Sequence, residues 1–325
     1  MRRLVGWAVL CAALLFGGSS FADGFPSRVI TLIVPYGAGG GVDTVARIIA
    51  EKLGGKLGQT IVIDNLTGAG GVIGTQRAAT SDPDGYTLLF TVENTMAVAK
   101  LVHPSAVHYD SQKDFAPISL IATAPLVLVG RNDLPASNIA EVMALLKANP
   151  GKYNYASSGV GTSLQVVGEM INIEGGVKMM HVPYREAPQI ITDLMASHID
   201  FAVLPLNMAL PAYRHGDIKI FGTTESGPSS LAPGIPSLSE YPSLKNVVLT
   251  VWYGLFAPAK VDPAIIDKVY HALNEVLQDP VVRTKLSDTF LVQPVGSTPA
   301  EFTKMLDDEI KKYSIIVKAA NIKVD

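Results

Sequence analysis

Two glycine-rich turns constrain this chain more than any other feature of its sequence. Turn 1 is residues 36–43 (Tyr-Gly-Ala-Gly-Gly-Gly-Val-Asp) and turn 2 is residues 67–74 (Thr-Gly-Ala-Gly-Gly-Val-Ile-Gly). Each turn follows an apolar, β-branched run and precedes a segment with helical spacing, so several backbone N–H groups lack intrahelical partners beside the positive end of a helix dipole. Because glycine has no Cβ, a ligand oxygen can approach that backbone closely. The turns therefore predict a pair of main-chain anion sites.

The N-terminus has the pattern of an exported protein. Arg2 and Arg3 precede an apolar run at 4–16, and the Ser-Phe-Ala sequence at 20–22 satisfies the small-x-small cleavage rule. The run is too short to remain as a membrane anchor. We expect residues 1–22 to be a cleaved signal peptide and the mature protein to be periplasmic.

Composition excludes several classes of site. The single cysteine, Cys11, lies in the predicted signal peptide, so the mature chain has no disulfide, thiolate nucleophile or cysteine-ligated metal. Without Arg2 and Arg3, 24 basic residues face 29 acidic ones, a net charge of -5. No basic patch indicates nucleic acid or a membrane surface as a partner.

The pattern of the mature chain predicts an α/β fold with two lobes. Its length exceeds the usual size of a single core. Strand-like apolar runs alternate with helical spacing, which favours mostly parallel sheets covered by helices on both faces. The first set of strand runs is at 29–34, 60–63 and 87–92, and the second is at 153–157, 178–182, 201–204 and 219–223.

Two longer apolar runs, 115–130 and 247–257, flank the second set. Each is longer than one strand requires, so we interpret each as a strand that crosses between the lobes and acts as a hinge. Residues 23–125 and 249–325 then form a discontinuous domain 1, and residues 126–248 form domain 2. The ligand cleft is expected between them.

Five strings in one order carry a resemblance to a known family. They are 34–40 (Val-Pro-Tyr-Gly-Ala-Gly-Gly) with Asp43, 68–71 (Gly-Ala-Gly-Gly) with Gly74, 83–89 (Pro-Asp-Gly-Tyr-Thr-Leu-Leu), 181–184 (His-Val-Pro-Tyr) and 253–259 (Tyr-Gly-Leu-Phe-Ala-Pro-Ala). Together they resemble the Bug receptors, the extracytoplasmic solute receptors of tripartite tricarboxylate transporters. The resemblance implies a two-lobed, type II-like periplasmic binding protein, a role that suits a monomer. We expect neither a cofactor nor a metal. Such a receptor closes on a small carboxylate and delivers it to membrane permease subunits.

The resemblance also implies which residues bind the ligand. Backbone groups of the first lobe would hold one carboxylate, partly through water and without an arginine clamp. At matching positions, these residues are Tyr36, Ala38, Gly39, Gly40, Gly70 and Gly71. The second lobe would contribute a third turn, which we call turn 3 (residues 157–163), with Ser157, Ser158, Thr162 and Ser163. The wall would be completed by Tyr184, Arg185 and the strand end from Asp200 to Leu204.

The sequence departs from the family pattern at two places near the expected ligand. The loop at 185–188 (Arg-Glu-Ala-Pro) is one residue shorter than usual, and Glu93 and Asn94 stand where small hydroxyl-bearing residues are more usual. Glu93 near the cleft mouth would repel a second ligand carboxylate unless Arg185 or an ammonium group offset it. The ligand is then either a dicarboxylate paired with Arg185 or a molecule with one anionic end, unless Glu93 faces solvent.

Several of these residues have a structural interpretation as well. Asp43 lies in the first helical turn, where a carboxylate complements the dipole, and we favour that role over ligand contact. The glycines at 68–74 could serve close helix packing, and Tyr184 could be a packed aromatic residue. For Trp252, within an apolar run, we favour a role in the core or hinge.

Other functional classes remain open at this point. An enzyme is disfavoured, because the chain lacks the Gly-x-Gly-x-x-Gly fingerprint, a P-loop lysine and a Gly-x-Ser-x-Gly elbow, and its six histidines are dispersed. A periplasmic sensor that docks to a signalling protein would have the same cleft. A phosphate or sulfate receptor also fits glycine turns at helix starts, but an elongated carboxylate suits three turns better.

Overall fold

A computed structural model describes residues 24–184 and 187–322 of the chain. The predicted signal peptide and Arg185 lie outside these ranges. The strands are β1 (Ile30–Val34), β2 (Ile61–Asn65), β3 (Thr87–Val92), β4 (Phe115–Arg131), β5 (Asn154–Ser157), β6 (Met180–Pro183), β7 (Phe201–Pro205), β8 (Ile218–Thr223), β9 (Thr250–Pro258) and β10 (Gln293–Pro294). The helices are α1 (Gly41–Leu57), α2 (Val72–Ala79), α3 (Ala99–Val102), α4 (Ile139–Ala148), α5 (Ser163–Gly175), α6 (Ala187–Met195), α7 (Leu206–His215), α8 (Pro263–Gln278), α9 (Pro280–Thr284) and α10 (Pro299–Ala319).

Two groups of strands define the two lobes. In lobe 1, β1 pairs in parallel with β2 and β3, and β9 pairs antiparallel with β3 and with residues 115–125 of β4. In lobe 2, β5 pairs in parallel with β6 and β7, while β7 and β8 pair antiparallel with residues 126–131 of β4. Strand β4 therefore changes partners between Pro125 and Leu126 and continues from one lobe into the other.

The second long apolar run crosses between the lobes only at its start. Leu249 N donates to Thr224 O at the edge of lobe 2. Among the described residues, strand β9 then pairs only with β3 and the first part of β4, both in lobe 1. The strand is apolar because it is a central strand of the lobe 1 sheet. The segment that connects the two lobes is 247–249.

Helices cover both faces of the sheets, as β-α-β connections require. Helix α1 places Val45, Ile49 and Leu53 in a core shared with α8 on one face of the lobe 1 sheet. The other face of that sheet shares one continuous core with lobe 2. No helix in the described ranges is long and apolar enough to cross a membrane.

Helix α10 lies across the junction of the lobes. It begins with a capping box between Thr298 and Glu301. It packs against β4 and α3 of lobe 1 and against α5 of lobe 2. Phe302 meets the ring of buried Trp252 edge-on with centroids 5.4 Å apart. Lys312 Nζ donates to Val248 O in the crossing segment.

Candidate ligand-binding site

Turn 1 connects the end of β1 to the start of α1 and is exposed at residues 37–41. Gly39 has φ +78°, a conformation that glycine adopts without strain. Its N–H donates to Asp43 Oδ2 at 2.8 Å, and the Gly40 N–H donates to Gly37 O at 3.2 Å. The N–H groups of Gly41 and Val42, the first two residues of α1, have no intrahelical acceptor. At turn 1, the N–H groups open to a ligand are therefore those at the start of α1. The Gly39 N–H is already used within the protein.

The Asp43 carboxylate holds turn 1 in place by accepting hydrogen bonds from the protein. Oδ2 also accepts from Arg47 Nε at 2.8 Å, and Oδ1 accepts from Asn65 Nδ2 at 2.9 Å. Burial alone would raise the pKa of Asp43, but these hydrogen bonds and that from Gly39 hold it below its usual value. The residue is fully buried. Asp43 therefore does not line the cleft, which corrects the expectation of a ligand contact, because both carboxylate oxygens face protein donors.

Turn 2 packs directly against turn 1 and the end of β3. Gly68, Gly70 and Gly71 have φ of +129°, +64° and +96°. A Cβ on Gly71 would lie 2.7 Å from Thr95 Cγ2 and 3.1 Å from Tyr36 Oη, and a Cβ on Gly74 would lie 2.5 Å from Leu66 O. Close packing thus accounts for Gly71 and Gly74, whereas the exposed Gly70 remains open to a ligand.

Tyr36 and Asn94 meet where these two turns converge. Asn94 Nδ2 donates to Gly70 O at 3.2 Å. Tyr36 Oη and Asn94 Oδ1 are buried, and neither has a hydrogen-bond partner among the described residues. Burial and the nearby Glu93 carboxylate raise the pKa of Tyr36, whereas the Thr91 and Asn94 side chains beside its hydroxyl lower it. Burying a polar atom without a hydrogen-bond partner destabilises a protein by about 1–3 kcal/mol. At this corner, a ligand or water could therefore supply hydrogen bonds that the described residues do not.

Glu93 is buried at the junction of the lobes. Only 2% of the residue is exposed, so the interpretation that it faces solvent is wrong. Its Oε2 accepts from Trp252 N at 3.3 Å. Burial raises the pKa of Glu93 to about 7, although hydrogen bonding from Ser163 of lobe 2 and from the Trp252 N–H lowers it. Glu93 is therefore buried between β9 of lobe 1 and the start of α5 in lobe 2.

The buried Ser157 at the end of β5 uses its hydroxyl within lobe 2. Its Oγ donates to Gly159 O at 3.0 Å and lies 2.7 Å from His181 Nε2. Burial lowers the pKa of His181 to about 4, so the ring is neutral at physiological pH. A serine and a neutral histidine at this distance resemble a nucleophile and its base. Ser157 is fully buried, however, and its hydroxyl is used within lobe 2.

Thr162 and Gln165 build the rest of turn 3. Thr162 caps α5: its Oγ1 donates to Gly159 O at 2.9 Å and accepts from Gln165 N at 3.4 Å. The Gly161 N–H donates to Gln165 Oε1 at 2.7 Å. A Cβ on Gly161 would lie 2.6 Å from Val102 Cγ1 on α3. Turn 3 is therefore internally bonded and rests directly on lobe 1.

Tyr184 and Ser158 differ in what they leave for a ligand. The Tyr184 hydroxyl donates to Asp193 Oδ2 at 2.6 Å, and burial together with this carboxylate raises the pKa of Tyr184 to about 12. Ser158 is half-buried and has no hydrogen-bond partner among the described residues. Of these two side chains, only Ser158 has its hydroxyl available to the cleft.

Asp200 lies at the opposite edge of the lobe 2 sheet from turn 3. Its Oδ2 accepts from Asn154 N and its Oδ1 from Arg131 Nε, both at 3.0 Å. Because β5 and β7 are parallel, with Tyr155 opposite Phe201, both strands begin at the Asp200 edge and end at the turn 3 edge. Three residues of strand separate the edges by about 10 Å. The prediction of a ligand contact at Asp200 is therefore wrong.

Sequence reasoning missed Asn65 and the backbone of Trp252. Asn65 Nδ2 donates to Tyr36 O at 2.9 Å as well as to Asp43, so it joins the ends of β1 and β2. A polar residue at the carboxyl end of a parallel strand is a signal that could have found it. No sequence signal places the Trp252 N–H beside Glu93, because 159 residues separate them.

Comparisons with known proteins agree with this arrangement. A family model described as tripartite tricarboxylate transporter family receptor matches residues 45–322. A UPF0065 protein of Bordetella pertussis is 34% identical over 319 residues, covering 98% of this chain and 96% of that protein.

Solved structures extend the similarity to the fold. MatC from Rhodopseudomonas palustris, with bound malate, is 29% identical with TM-score 0.77, covering 90% of this chain and 100% of that one. Rpa4515 from R. palustris, with adipate, is 26% identical with TM-score 0.82, covering 92% and 100%. The two-lobed α/β prediction is confirmed. The chain belongs to the family of tripartite tricarboxylate transporter receptors.

Proposed function

We propose that this protein is a periplasmic solute receptor that binds a small carboxylate between its lobes and delivers it to a membrane permease. The observation that carries the proposal is the convergence of turns 1 and 2 on Tyr36, whose buried hydroxyl has no partner among the described residues. Turn 3 of lobe 2 packs on α3 of lobe 1, where Gly161 lies against Val102. These features support a ligand site between the two lobes, with the unpartnered polar groups facing it.

Relatives with known ligands support the chemical class. MatC was solved with malate and Rpa4515 with adipate, and both molecules are small carboxylates. Helix starts suit a carboxylate, because their N–H groups and dipole favour negative charge. In this chain the starts of α1 and α5 supply such groups from opposite lobes.

The binding cycle follows from the single strand that joins the sheets. The carboxylate meets the free N–H groups of Gly41 and Val42 in lobe 1. Rotation about β4 near Pro125 then brings Ser158 and the start of α5 over it. Ligand drives closure only to the extent that it binds the closed form more tightly than the open one.

Binding is tested by thermal-shift titration of the mature protein after unfolding and refolding to remove carried-over ligand. The panel contains aliphatic and aromatic mono- and dicarboxylates, with phosphate for comparison. A ligand at 100 times its Kd stabilises the native state by about 2.7 kcal/mol. Saturable stabilisation by a carboxylate is the expected result. Stabilisation by phosphate alone, or by nothing, would overturn the proposal.

Delivery is tested separately, by uptake of the labelled ligand into proteoliposomes that contain the permease. Uptake should require the receptor and saturate with its concentration. A receptor that binds its ligand but does not change uptake would instead be a sensor.

A further inference from the structure

A polar cavity of about 550 Å³ lies between the lobes beside β10. Lobe 2 lines it with Arg214, in the last turn of α7, and with Ser230, in the loop that follows β8. Lobe 1 lines it with Arg283 on α9 and with Gln293 of β10. Ser230 Oγ donates to Gln293 Oε1 at 3.3 Å, so the two lobes are bonded at its wall. We call this space the arginine cavity.

The arginine cavity is separate from the cleft at turns 1 and 2. Strand β10 pairs with Ala122 and Thr123 of β4, and β9 pairs with the same two residues on the opposite edge of β4. The strand order from the turn 1 side is therefore β1-β3-β9-β4-β10. Four strand spacings separate β10 from β1, a distance of about 19 Å. None of the residues that line the cavity belongs to turn 1, 2 or 3.

Neither arginine of the cavity is neutralised by a carboxylate of the described chain. Within the described ranges, the arginines that form ion pairs with a carboxylate are Arg28, Arg47 and Arg131. Arg214 and Arg283 form no such pair there. A guanidinium has five N–H donors and no acceptor, and it keeps its charge throughout the physiological pH range. The cavity therefore contains two permanent positive charges, one from each lobe.

Other polar groups of lobe 1 surround Arg283 in the cavity. Arg283 Nη1 donates to Leu277 O at 3.1 Å, which anchors the guanidinium and leaves its other N–H groups without a bond among the described residues. Thr284 and Ser287 add hydroxyls to the lining. Asp288 adds a carboxylate, whose Oδ1 accepts from Ser287 Oγ at 2.7 Å and not from either arginine. With two guanidinium groups and one carboxylate, the lining has a net positive charge.

We propose that the arginine cavity is a second ligand site, in which a phosphate-bearing anion binds between Arg214 and Arg283. The planar fork of a guanidinium matches two phosphate oxygens at once, and such charge-assisted pairs are among the strongest hydrogen bonds in proteins. The cavity has room for more than one phosphate group, so a diphosphate can reach the arginines of both lobes. The hydroxyls of the lining can donate to its remaining oxygens. The inference goes beyond the proposed function, because it requires no ligand in the cleft.

An anion in this position also connects the lobes. Arg214 belongs to lobe 2 and Arg283 to lobe 1, so an anion bonded to both stabilises the arrangement in which the two arginines face one cavity. Losing either arginine removes one of the two attachments. Each arginine therefore provides a separate test of the site.

The test is calorimetric titration of the mature protein with inorganic pyrophosphate, at low ionic strength because salt screens exposed charges. Citrate, which carries three carboxylates, is titrated in parallel. The expected result is saturable binding of one pyrophosphate per protein, with citrate bound about tenfold more weakly or not at all. Absence of saturable pyrophosphate binding would overturn the inference. Citrate binding as tight as that of pyrophosphate would overturn the assignment to phosphate. Neither result bears on the proposed function, which the carboxylate titration tests.

Variants of the two arginines assign the binding to this cavity. Arg214→Gln and Arg283→Gln should each weaken pyrophosphate binding about tenfold or more, the loss of charge-assisted hydrogen bonds. Asp288→Asn should tighten it, because a carboxylate that repels the anion is removed. Arg214 is exposed, so Arg214→Gln gives the test even if Arg283→Gln does not fold.

Arg77→Gln is the matched control. Arg77 is exposed and, like Arg214, has no ion pair among the described residues, but it lies on α2 and does not line the cavity. The substitution removes the same charge and should leave the affinity for pyrophosphate within about twofold. Unchanged affinity in Arg214→Gln, weaker binding in Asp288→Asn, or an equal loss in Arg77→Gln would overturn the inference.

Discussion

The two lobes bring different kinds of surface to the cleft. In lobe 1, close-packed glycine turns surround Tyr36 and Asn94, whose buried oxygens have no partner among the described residues. In lobe 2, the hydroxyls of Ser157, Thr162 and Tyr184 are all bonded within the lobe. The difference favours the proposal that lobe 1 provides most of the polar contacts to the ligand, whereas lobe 2 is a preformed cover that adds Ser158 and the start of α5.

The same contrast holds for one buried titratable group in each lobe. Burial raises the pKa of Glu93 in lobe 1 to about 7 and lowers the pKa of His181 in lobe 2 to about 4. Both groups therefore favour their neutral forms. Their effects on stability have opposite pH dependence, so each lobe can be probed separately.

The largest expected effect comes from filling the close contact in lobe 1. Gly71→Val places a branched side chain at φ +96°, with its Cβ 2.7 Å from Thr95 and 3.1 Å from Tyr36. Backbone strain and overpacking together should lower the free energy of unfolding by about 3 kcal/mol or more. Ligand binding should be lost. Urea denaturation and calorimetry measure the two effects.

Gly37→Ala is the matched control for that variant, because a Cβ on Gly37 meets nothing within 4 Å. Its stability should stay within about 0.5 kcal/mol of wild type. A folded Gly71→Val protein with wild-type affinity would show that turn 2 does not shape the site.

Glu93→Gln should change how stability depends on pH. With a pKa of about 7 when folded and 4.5 as its ordinary value, the wild-type folded state holds the proton more tightly. The stability that Glu93 contributes is present below pH 4.5 and is lost as pH rises through 7. Relative to that of Glu93→Gln, the free energy of unfolding of the wild type should fall by up to about 3 kcal/mol as pH rises through this range. Parallel denaturation curves at pH 5 and pH 8 would contradict a buried Glu93.

His181→Gln should show the opposite sign. The pKa of His181 is about 4 when folded against an ordinary 6.5, so its contribution is present above pH 6.5 and is lost as pH falls through 4. Relative to that of the variant, the free energy of unfolding of the wild type should fall by about 2 kcal/mol on acidification. Melting temperatures of both proteins from pH 7 to pH 4 provide the measurement, and an unchanged difference would show that His181 is accessible to water.

The smallest expected effects distinguish residues of lobe 2 that stabilise the fold from those that we expect to contact the ligand. Thr162→Ala removes the cap of α5 and should cost about 1 kcal/mol of stability. Ser158→Ala should leave stability unchanged and weaken ligand binding about tenfold, the loss of about one hydrogen bond. Asp200→Asn, at the far edge, should leave affinity within about twofold, since no bond to the ligand is lost. A large loss of affinity in Asp200→Asn alone would reverse the assignment of the two edges.

Local patterns in the sequence account for the parts of this fold that depend on neighbours in the chain. Glycines after β-branched runs predicted turns 1 and 2, and alternating periodicities predicted the two-lobed α/β fold, which is confirmed. Asp43 was placed in the first turn of its helix, where a dipole role was favoured. Its actual bond to Asn65, 22 residues away, is a tertiary contact that no local pattern contains.

The errors have the same physical origin. Asp200 was assigned to the cleft as part of the strand end that the family resemblance implies, but only strand direction decides which end of that strand meets turn 3. Glu93 was expected near the mouth because it follows the third strand, at a place where small hydroxyl-bearing residues are usual in the family. It is buried because β9 and α5 cover it, and both lie far from it in sequence.

Helix α10 couples the cleft to the C-terminal end of the described chain. Tyr313 and Val317 are buried, and the helix touches α5 of lobe 2 as well as lobe 1. Any rotation of one lobe must therefore slide α5 along α10 or release it, so this helix sets part of the energy difference between open and closed forms. Shortening α10 would therefore change the affinity for the ligand, although α10 does not contact it.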